Sequence, residues 1–164
     1  MSVIDIETLA AIDGLQVRYL AALDAQNMAD WLATFSEDEG ASYICTTAES
    51  VEADLRVALI LDDCRARLKD RVTYVTKIWA GTYTEHRTRH FVQRTECRRA
   101  EENLFEVKSN FMVTYTSSET LRAEVLATGV YLDRIGIEAN GARFLSKKAI
   151  TDTHVLHRYL VYPL

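Results

Sequence analysis

Apolar residues recur at steps of three and four residues through the first third of the chain. In residues 5–25 the positions with this spacing are Leu9, Ile12, Gln16, Tyr19, Leu20 and Leu23. A second set follows Asn27 and consists of Met28, Trp31, Leu32 and Phe35. The spacing is typical of one buried helical face, and asparagine is a favoured N-cap residue. The pattern therefore predicts two N-terminal helices, the second ending at the acidic segment 36–40.

The middle of the chain gives shorter signals. Residues 41–47 have the composition of a short strand, and residues 55–61 are a candidate for a second one. Asp62 is then predicted to cap a third helix that runs to about Lys77. The buried face of this helix would contain Leu68, Val72 and Val75.

The second half of the chain alternates between apolar and polar residues. One face of residues 105–115 would carry Phe105, Val107, Ser109, Phe111, Val113 and Tyr115. One face of residues 121–131 would carry Leu121, Ala123, Val125, Ala127 and Tyr131. A period of two indicates strands with one packed face, and turn-forming segments separate these runs at 100–103, 117–120 and 136–141. Residues 86–152 therefore predict four long, sequential antiparallel strands.

Helices followed by a run of strands predict an α+β fold. Strands of ten or more residues on one sheet must twist and curl. A curled sheet wrapped around N-terminal helices is the cone-shaped arrangement of nuclear-transport-factor-2-like (cystatin-like) proteins. The length of 164 residues favours one domain, and no repeat or linker divides it, so we expect residues 1–164 to form a single domain.

Composition narrows the function classes. The net charge of −5 and the pI of about 5.4 argue against a general nucleic-acid binder. No apolar run approaches the ~18–20 residues of a membrane span, and the acidic N-terminus lacks a signal-peptide core. The three widely spaced cysteines (Cys45, Cys64 and Cys97) fit free thiols in a reducing compartment. We expect a cytoplasmic protein that binds neither nucleic acid nor membrane.

His86 and His90 lie four residues apart, a spacing that on a helix would bring two imidazoles to one zinc ion. Here the segment is predicted to be a strand, in which four residues span about 13 Å. Ligand nitrogens lie only about 2 Å from a shared metal. We therefore predict no metal at this pair, and a hydrogen-bonded or partner-facing role instead.

Other metal and nucleophile patterns are weaker still. His154 and His157, with Asp152 nearby, resemble a two-histidine, one-carboxylate set, but a surface or interface tail is the favoured interpretation. None of the cysteines is followed by the nearby histidine that a Rieske cluster requires, and no G-x-S-x-G, P-loop or G-x-G-x-x-G motif occurs. The sequence thus predicts no metal ligand and no cofactor-binding residue.

Acid–base chemistry inside the cone is a separate possibility, because isomerases and dehydratases of this architecture use an Asp, a His or a Tyr there. The candidates are Tyr43, His90 and Asp133, with Tyr131 as a further one. Each has a structural interpretation as well, and the sequence favours no single set.

Five segments occur in order over nearly the whole chain: YLAALDAQNMADWLATFSEDEGASYICT at 19–46, DDCRARLKDRVTYVTK at 62–77, TRHFVQ at 88–93, EVKSNFMVTYTS at 106–117 and RFLSKKAITDTHVLHRYLVYPL at 143–164. Together they resemble the small (beta) subunit of Rieske-type aromatic-ring-hydroxylating dioxygenases. The resemblance implies a non-catalytic structural subunit, whose partner alpha subunit carries the Rieske [2Fe–2S] cluster and the mononuclear iron. It also implies a beta trimer within an α3β3 hexamer.

The resemblance gives several residues an interface role, since aromatic and Arg residues are enriched in such contacts. The candidates are Trp79, Tyr83, His86, Arg89, His90, Tyr159 and Tyr162. The short, proline-free segment 46–60 and the ending V-Y-P-L are more similar to small subunits of systems that act on aromatic carboxylates such as anthranilate or salicylate.

Two main hypotheses therefore stand, beside a third, a binding module without a cofactor, which would have a pocket without titratable groups. A structural subunit would have a cone filled by side chains and a large apolar surface for partners. A stand-alone isomerase or dehydratase would have a deep cone pocket with a buried Asp, His or Tyr of shifted pKa.

Overall fold

The computed structural model describes residues 4–156 and 160–164. The helices precede most of the strands in the chain. They are α1 (Ile6–Asp24), α2 (Met28–Ala33), α3 (Ala48–Glu52) and α4 (Arg65–Thr73), and a π-helical turn, Tyr74–Ile78, continues α4. The strands are β1 (Ser42–Thr47), β2 (Ile60–Asp62), β3 (His86–Glu101), β4 (Leu104–Ser117), β5 (Ala123–Glu138) and β6 (Gly141–Thr151).

The strands form one six-stranded sheet in the order β2-β1-β6-β5-β4-β3. β3 to β6 make the antiparallel meander that the alternating pattern predicted. β1 joins the meander by pairing parallel to β6. The short β2 pairs antiparallel to β1 and is the edge strand on that side. The α+β prediction is confirmed.

Helix α1 begins and packs as its sequence dictates. The carboxylate of Asp5 caps it by accepting a hydrogen bond from the Thr8 amide at 2.8 Å. Its buried face contains Ile12, Leu15, Gln16, Tyr19, Leu20, Ala22 and Leu23. This face packs against β3 and β6, so the sheet curls around the helix. Asn27 caps α2 in the same way, through the amide of Asp30 at 3.1 Å.

Bulges bend the long strands. Register shifts interrupt the β3–β4 ladder between Arg94 and Glu96, and the β4–β5 ladder between Val113 and Thr114. An extra residue on one strand increases the local twist and bends the strand. The concave side is filled by large buried side chains: Tyr19, Trp31, Phe35, Tyr43, Phe105, Tyr131 and Phe144.

The predicted start of the third helix is wrong. Asp62 lies in β2 and accepts a bidentate ion pair from Arg71 at 3.0 and 3.1 Å, while the helix begins at Arg65 after Cys64. Asp62 is buried at the sheet edge, and a buried carboxylate is stable only when it is paired with a cation. Its side chain therefore binds Arg71 and does not cap the helix. The candidate strand at 55–61 shrinks to Ile60–Asp62, and α3 was not predicted.

The predicted inward face of β5 is wrong at its beginning. Ala127 and Tyr131 are buried, but Leu121 is 79% exposed and Val125 is 50% exposed. Val113 pairs with Ala127 whereas Thr114 pairs with Val125, so Leu126 is the extra residue of a bulge. A one-residue insertion exchanges the two faces of a strand.

Candidate functional site

The structure holds the three acid–base candidates in three different environments. The hydroxyl of Tyr43 anchors the last residue, accepting a hydrogen bond from the Leu164 amide at 2.9 Å and donating to its carbonyl oxygen at 3.2 Å. Burial raises the pKa of Tyr43 well above its usual value. A protonated hydroxyl with both bonds made to backbone is a structural anchor.

Asp133 lies in the centre of the cone, where it forms an ion pair. Its carboxylate accepts from Lys147 Nζ at 3.0 and 3.2 Å, and from the amide nitrogen of Gln16 at 2.5 Å. The Gln16 oxygen accepts from Lys147 Nζ at 3.1 Å, which closes a three-residue network. Burial raises the pKa of Asp133 and lowers that of Lys147, and each charge opposes the effect on the other.

Aromatic rings surround the ammonium group of this network. Lys147 Nζ lies 3.7 Å from the ring centroid of Tyr131, 4.4 Å from that of Phe144 and 4.6 Å from that of Tyr19. Tyr131 itself stacks on Phe111 at 4.3 Å, and its pKa is raised well above the usual value by burial. These contacts fill the cone with packed side chains.

His90 pairs with Asp24 at the last residue of α1. The carboxylate of Asp24 accepts from His90 Nδ1 at 2.7 Å, from the His90 amide at 3.2 Å and from the Thr88 hydroxyl at 3.1 Å. Partial burial would raise the pKa of Asp24, but the hydrogen bonds from His90 and Thr88 outweigh it, and the pKa is lowered. The His90 side chain is only 3% exposed, and its Nε2 has no hydrogen-bond partner in the part of the chain described.

Three more of the sequence candidates lie close by. The hydroxyl groups of Tyr83 and Tyr162 share a hydrogen bond of 2.7 Å. The ring of His86 stacks on Tyr115 at 4.8 Å, and its Nδ1 lies 2.9 Å from the carbonyl oxygen of Thr84. Burial raises the pKa of Tyr162, and the Tyr83 hydroxyl adds to the effect.

These side chains line a common cavity of about 60 Å³ between the end of α1, the first half of β3 and the C-terminal segment 160–164. We call it the His90 cavity. The sequence had named its members His86, His90, Tyr83 and Tyr162 separately, and the structure brings them together. Sequence reasoning missed Leu23, Gln26, Tyr115 and Leu126 as lining residues and Asp24 as the partner of His90. These contacts join residues that are far apart in the chain, 66 positions in the case of Asp24 and His90.

The remaining candidates lie elsewhere. Arg89 is exposed on the opposite face of β3, and Trp79 is half-buried with its ring 5.9 Å from that of Tyr74. Tyr159 and His157 fall outside the described residues. His154 lies 3.4 Å from a carboxylate oxygen of Glu49, and Asp152 accepts from the Thr128 hydroxyl at 2.7 Å.

In the described ranges, residues 4–156 and 160–164, no group of three or more His, Cys, Asp or Glu side chains is placed to hold a metal ion. Cys45, Cys64 and Cys97 are free thiols, and burial raises the pKa of Cys45 to about 12. None of the helices in these ranges has the length and apolar character needed to cross a membrane.

Exposed apolar residues collect near both edges of the sheet. Around β2 they are Val51, Leu55, Val57, Leu59 and Leu61, each more than 40% exposed. Phe91, 54% exposed, lies beside Arg89 on the outward face of the edge strand β3. Exposed edge strands offer unpaired backbone groups to another chain.

Comparison with known proteins gives one family. Residues 18–158 match the family model described as the ring hydroxylating beta subunit. The anthranilate 1,2-dioxygenase small subunit of Burkholderia cepacia is 28% identical over 160 residues, covering 98% of this chain and 96% of that subunit. The beta 2 subunit of the terminal oxygenase component of terephthalate 1,2-dioxygenase from Comamonas sp is 24% identical over 153 residues, 93% of this chain and 96% of that subunit.

A solved structure from Novosphingobium aromaticivorans, described as the beta subunit of an aromatic-ring-hydroxylating dioxygenase, superposes with a TM-score of 0.83. It is 24% identical, and the match covers 98% of this chain and 100% of that one. At this identity the likeness concerns the fold, and it confirms the cone-shaped, nuclear-transport-factor-2-like arrangement expected from the strand pattern.

Proposed function

This chain belongs to the ring hydroxylating beta subunit family, and we propose that its work is to hold the catalytic alpha subunit in an assembled oxygenase. As the small subunit of a multi-subunit dioxygenase it has an alpha-subunit partner. The beta subunit is the non-catalytic partner, and the Rieske cluster and the mononuclear iron belong to the alpha chain.

The observation that carries the structural role is the filled cone. An isomerase of this fold would bring its acid and base to one open pocket. Here Tyr43 binds the C-terminal backbone, Asp133 is neutralised by Lys147, and His90 is paired with Asp24 at a separate cavity. The stand-alone isomerase or dehydratase is therefore not favoured.

Assembly would use the edges of the sheet. The apolar residues around β2 and the outward face of β3, with Phe91 and Arg89, are suited to contacts with the alpha chain and with further copies of this chain. We propose a homotrimer within an α3β3 hexamer, with residues 1–164 as one domain. Trp79, Tyr83, His86, Tyr159 and Tyr162 remain candidates for these contacts, and His90, being buried, would act by positioning the residues around it.

The substrate class follows from the relatives. Anthranilate and terephthalate, which name the two related enzymes, are both aromatic carboxylates. We propose that the complex containing this chain oxidises an aromatic carboxylate, with anthranilate and salicylate as the first compounds to test. The reaction would take place in the cytoplasm, using electrons that a reductase delivers to the alpha subunit.

A tagged pull-down from cells grown on an aromatic carboxylate tests the assembly. The expected eluate contains this chain with an equal amount of a larger, iron-containing Rieske protein. Iron content and the mass of the complex by light scattering give the stoichiometry. A lone, iron-free chain that converts a substrate by itself would overturn the proposal.

A further inference from the structure

The six-stranded sheet ends in β2 on one side and in β3 on the other. Large apolar side chains are exposed at both ends, although a strand edge that stays in water is usually protected by charge or by a covering segment. The charged residues beside these apolar positions have opposite signs at the two ends. The two ends are therefore complementary to each other.

The first surface consists of residues 49–61, from α3 to β2, and we call it the acidic edge. Every residue from 51 to 57 is exposed. Three carboxylates, those of Glu49, Glu52 and Asp54, stand against one cation, Arg56. Glu49 has an exposed ion pair with His154, and neither of the other two carboxylates forms an ion pair within the described residues. The exposed apolar residues of this edge are Val51, Leu55, Val57, Leu59 and Leu61.

The second surface is the outward face of the first half of β3, and we call it the basic edge. Arg87, Arg89 and Phe91 are exposed there at alternate positions. Their cross-strand partners on β4 carry no charge: Thr116, Thr114 and Met112. Neither guanidinium forms an ion pair with a described residue, the neighbouring Glu85 included, and Arg89 donates to the carbonyl oxygen of Thr88 at 2.7 Å. Two cations beside an exposed aromatic ring are thus left without a counter-charge.

We infer that the two edges bind each other between copies of this chain, the acidic edge of one copy against the basic edge of the next. The inference rests on the homotrimer proposed above and names the surfaces that form it. The carboxylates of the acidic edge would face Arg87 and Arg89 in charge-assisted hydrogen bonds, with Phe91 set among the exposed aliphatic side chains. Aromatic and Arg residues are the types enriched in such contacts.

The signs of the charges favour a head-to-tail contact over a two-fold one. In a two-fold contact each edge would meet itself, which places arginine against arginine or glutamate against glutamate. Like charges that face each other across an interface oppose binding. A ring of three copies instead needs two different surfaces on each copy. The two edges lie at opposite ends of one sheet, so a single copy can use both at once.

Charge reversal on the full-length chain alone tests the contact. Analytical ultracentrifugation gives the mass of the assembly and its dissociation constant. The basic-edge variant is Arg87→Glu with Arg89→Glu, and the acidic-edge variant is Glu49→Arg with Glu52→Arg. Each turns attraction into repulsion and should raise the dissociation constant by about tenfold or more. Asp54 is left unchanged, because its φ of 52° lies in the left-handed region that Asp tolerates better than Arg.

A chain with all four reversals is the decisive variant. It again presents opposite charges at the two edges, with their positions exchanged, so it should associate about tenfold more tightly than either double variant. Lys69→Glu with Lys77→Glu is the matched control, since it makes the same charge change as the basic-edge variant at exposed positions outside both edges. Urea unfolding checks that every variant is folded.

Salt gives a second measurement that needs no variant. Exposed charges are screened, so self-association of the native chain should weaken as the salt concentration rises. An association that salt leaves unchanged or strengthens would contradict a contact made by these charges.

Three other results would overturn the inference. The native chain stays monomeric at its highest soluble concentration. The native chain associates, but the double variants at the two edges change the dissociation constant no more than the lysine control does. The chain with four reversals associates no more tightly than the double variants, which would mean that the two edges do not meet. Recovery of the alpha subunit in the pull-down is a separate readout, so each of these results leaves the subunit role itself to be judged there.

Discussion

Asp133 on β5 and Lys147 on β6 are direct cross-strand partners, and their side chains have no exposed surface. The pair and the aromatic rings around Lys147 fill this part of the cone with side chains. Removing two charges from water costs several kcal/mol each, and their attraction repays this only with good geometry and further hydrogen bonds. Gln16 supplies those bonds from α1, so the pair also fixes the helix against the sheet.

Replacing Lys147 by Met should destabilise the fold by about 3–5 kcal/mol, because the Asp133 carboxylate would lose its buried partner. Urea unfolding at neutral pH measures the change. The loss should shrink as the pH is lowered toward the raised folded-state pKa of Asp133, since a neutral carboxyl needs no cation.

The double variant Lys147→Met with Asp133→Leu is the matched control. It removes both charges and should recover most of the lost free energy of unfolding. If Lys147→Met alone were as stable as the native chain, the ion pair would not be what holds α1 to the sheet.

Asp24→Asn should make the free energy of unfolding less dependent on pH in the acid range. The folded-state pKa of Asp24 is lowered, so its stabilisation is present above the unfolded value of about 3.8 and is lost as the pH falls through the folded-state value. Asparagine does not titrate. The variant should be less stable than the native chain at neutral pH, and the two unfolding free energies should converge in acid. Parallel curves from pH 7 into acid would contradict the assignment.

The fold could be predicted because its signals are local. Period-two alternation over 86–152 and the N-cap at Asn27 need only neighbouring residues, and both predictions are confirmed. The errors arose where a contact outside the local pattern decides the structure. Asp62 has the residue type of a helix cap but forms an ion pair with Arg71, and the bulge at Leu126 depends on the β4–β5 register, which a single strand does not specify.

The site was less predictable for the same reason. Tyr43, His90 and Asp133 were chosen by residue type, which does not reveal that Leu164, Asp24 and Lys147 would occupy them. Those contacts span from 14 to 121 residues. Asp24 and Lys147 are ordinary charged residues and Leu164 binds through its backbone, so no local pattern marks these partners and only the fold brings the pairs together.

Gly129→Ala should be much more damaging than Gly136→Ala in the same strand. A Cβ at Gly129 would lie 2.0 Å from the backbone oxygen of Ile150 and 2.9 Å from the Phe111 ring, and the backbone cannot yield. At Gly136 the nearest atoms are 3.5 Å away on the Leu145 side chain. We expect a loss of about 3 kcal/mol for the first and less than about 1 kcal/mol for the second in urea unfolding. Equal losses would mean that the β5–β6 approach is looser than described.

Charges placed on the sheet edges should weaken assembly without unfolding the chain. Leu59→Asp and Phe91→Asp each put a carboxylate on an exposed apolar position at opposite edges, so folding should be little affected. Recovery of the alpha subunit in a pull-down should fall at least tenfold for an edge that contacts it. Ile6→Asp, at an 82% exposed position in the first turn of α1, is the control. If Leu59→Asp and Phe91→Asp both assembled as well as the control, the interfaces would lie elsewhere.

His90→Ala separates a structural role from a catalytic one. The change removes a buried ring and leaves the Asp24 carboxylate without its charge-assisted bond, at a cost of about 2 kcal/mol or more. We expect less assembled complex, but normal turnover per alpha subunit in the complex that does form, because the chemistry would take place in the other chain. Turnover is measured on purified complex and divided by its iron content. Gln93→Ala, at an exposed position further along the same strand, controls for general effects on β3. Full assembly with turnover abolished would instead place His90 in the reaction.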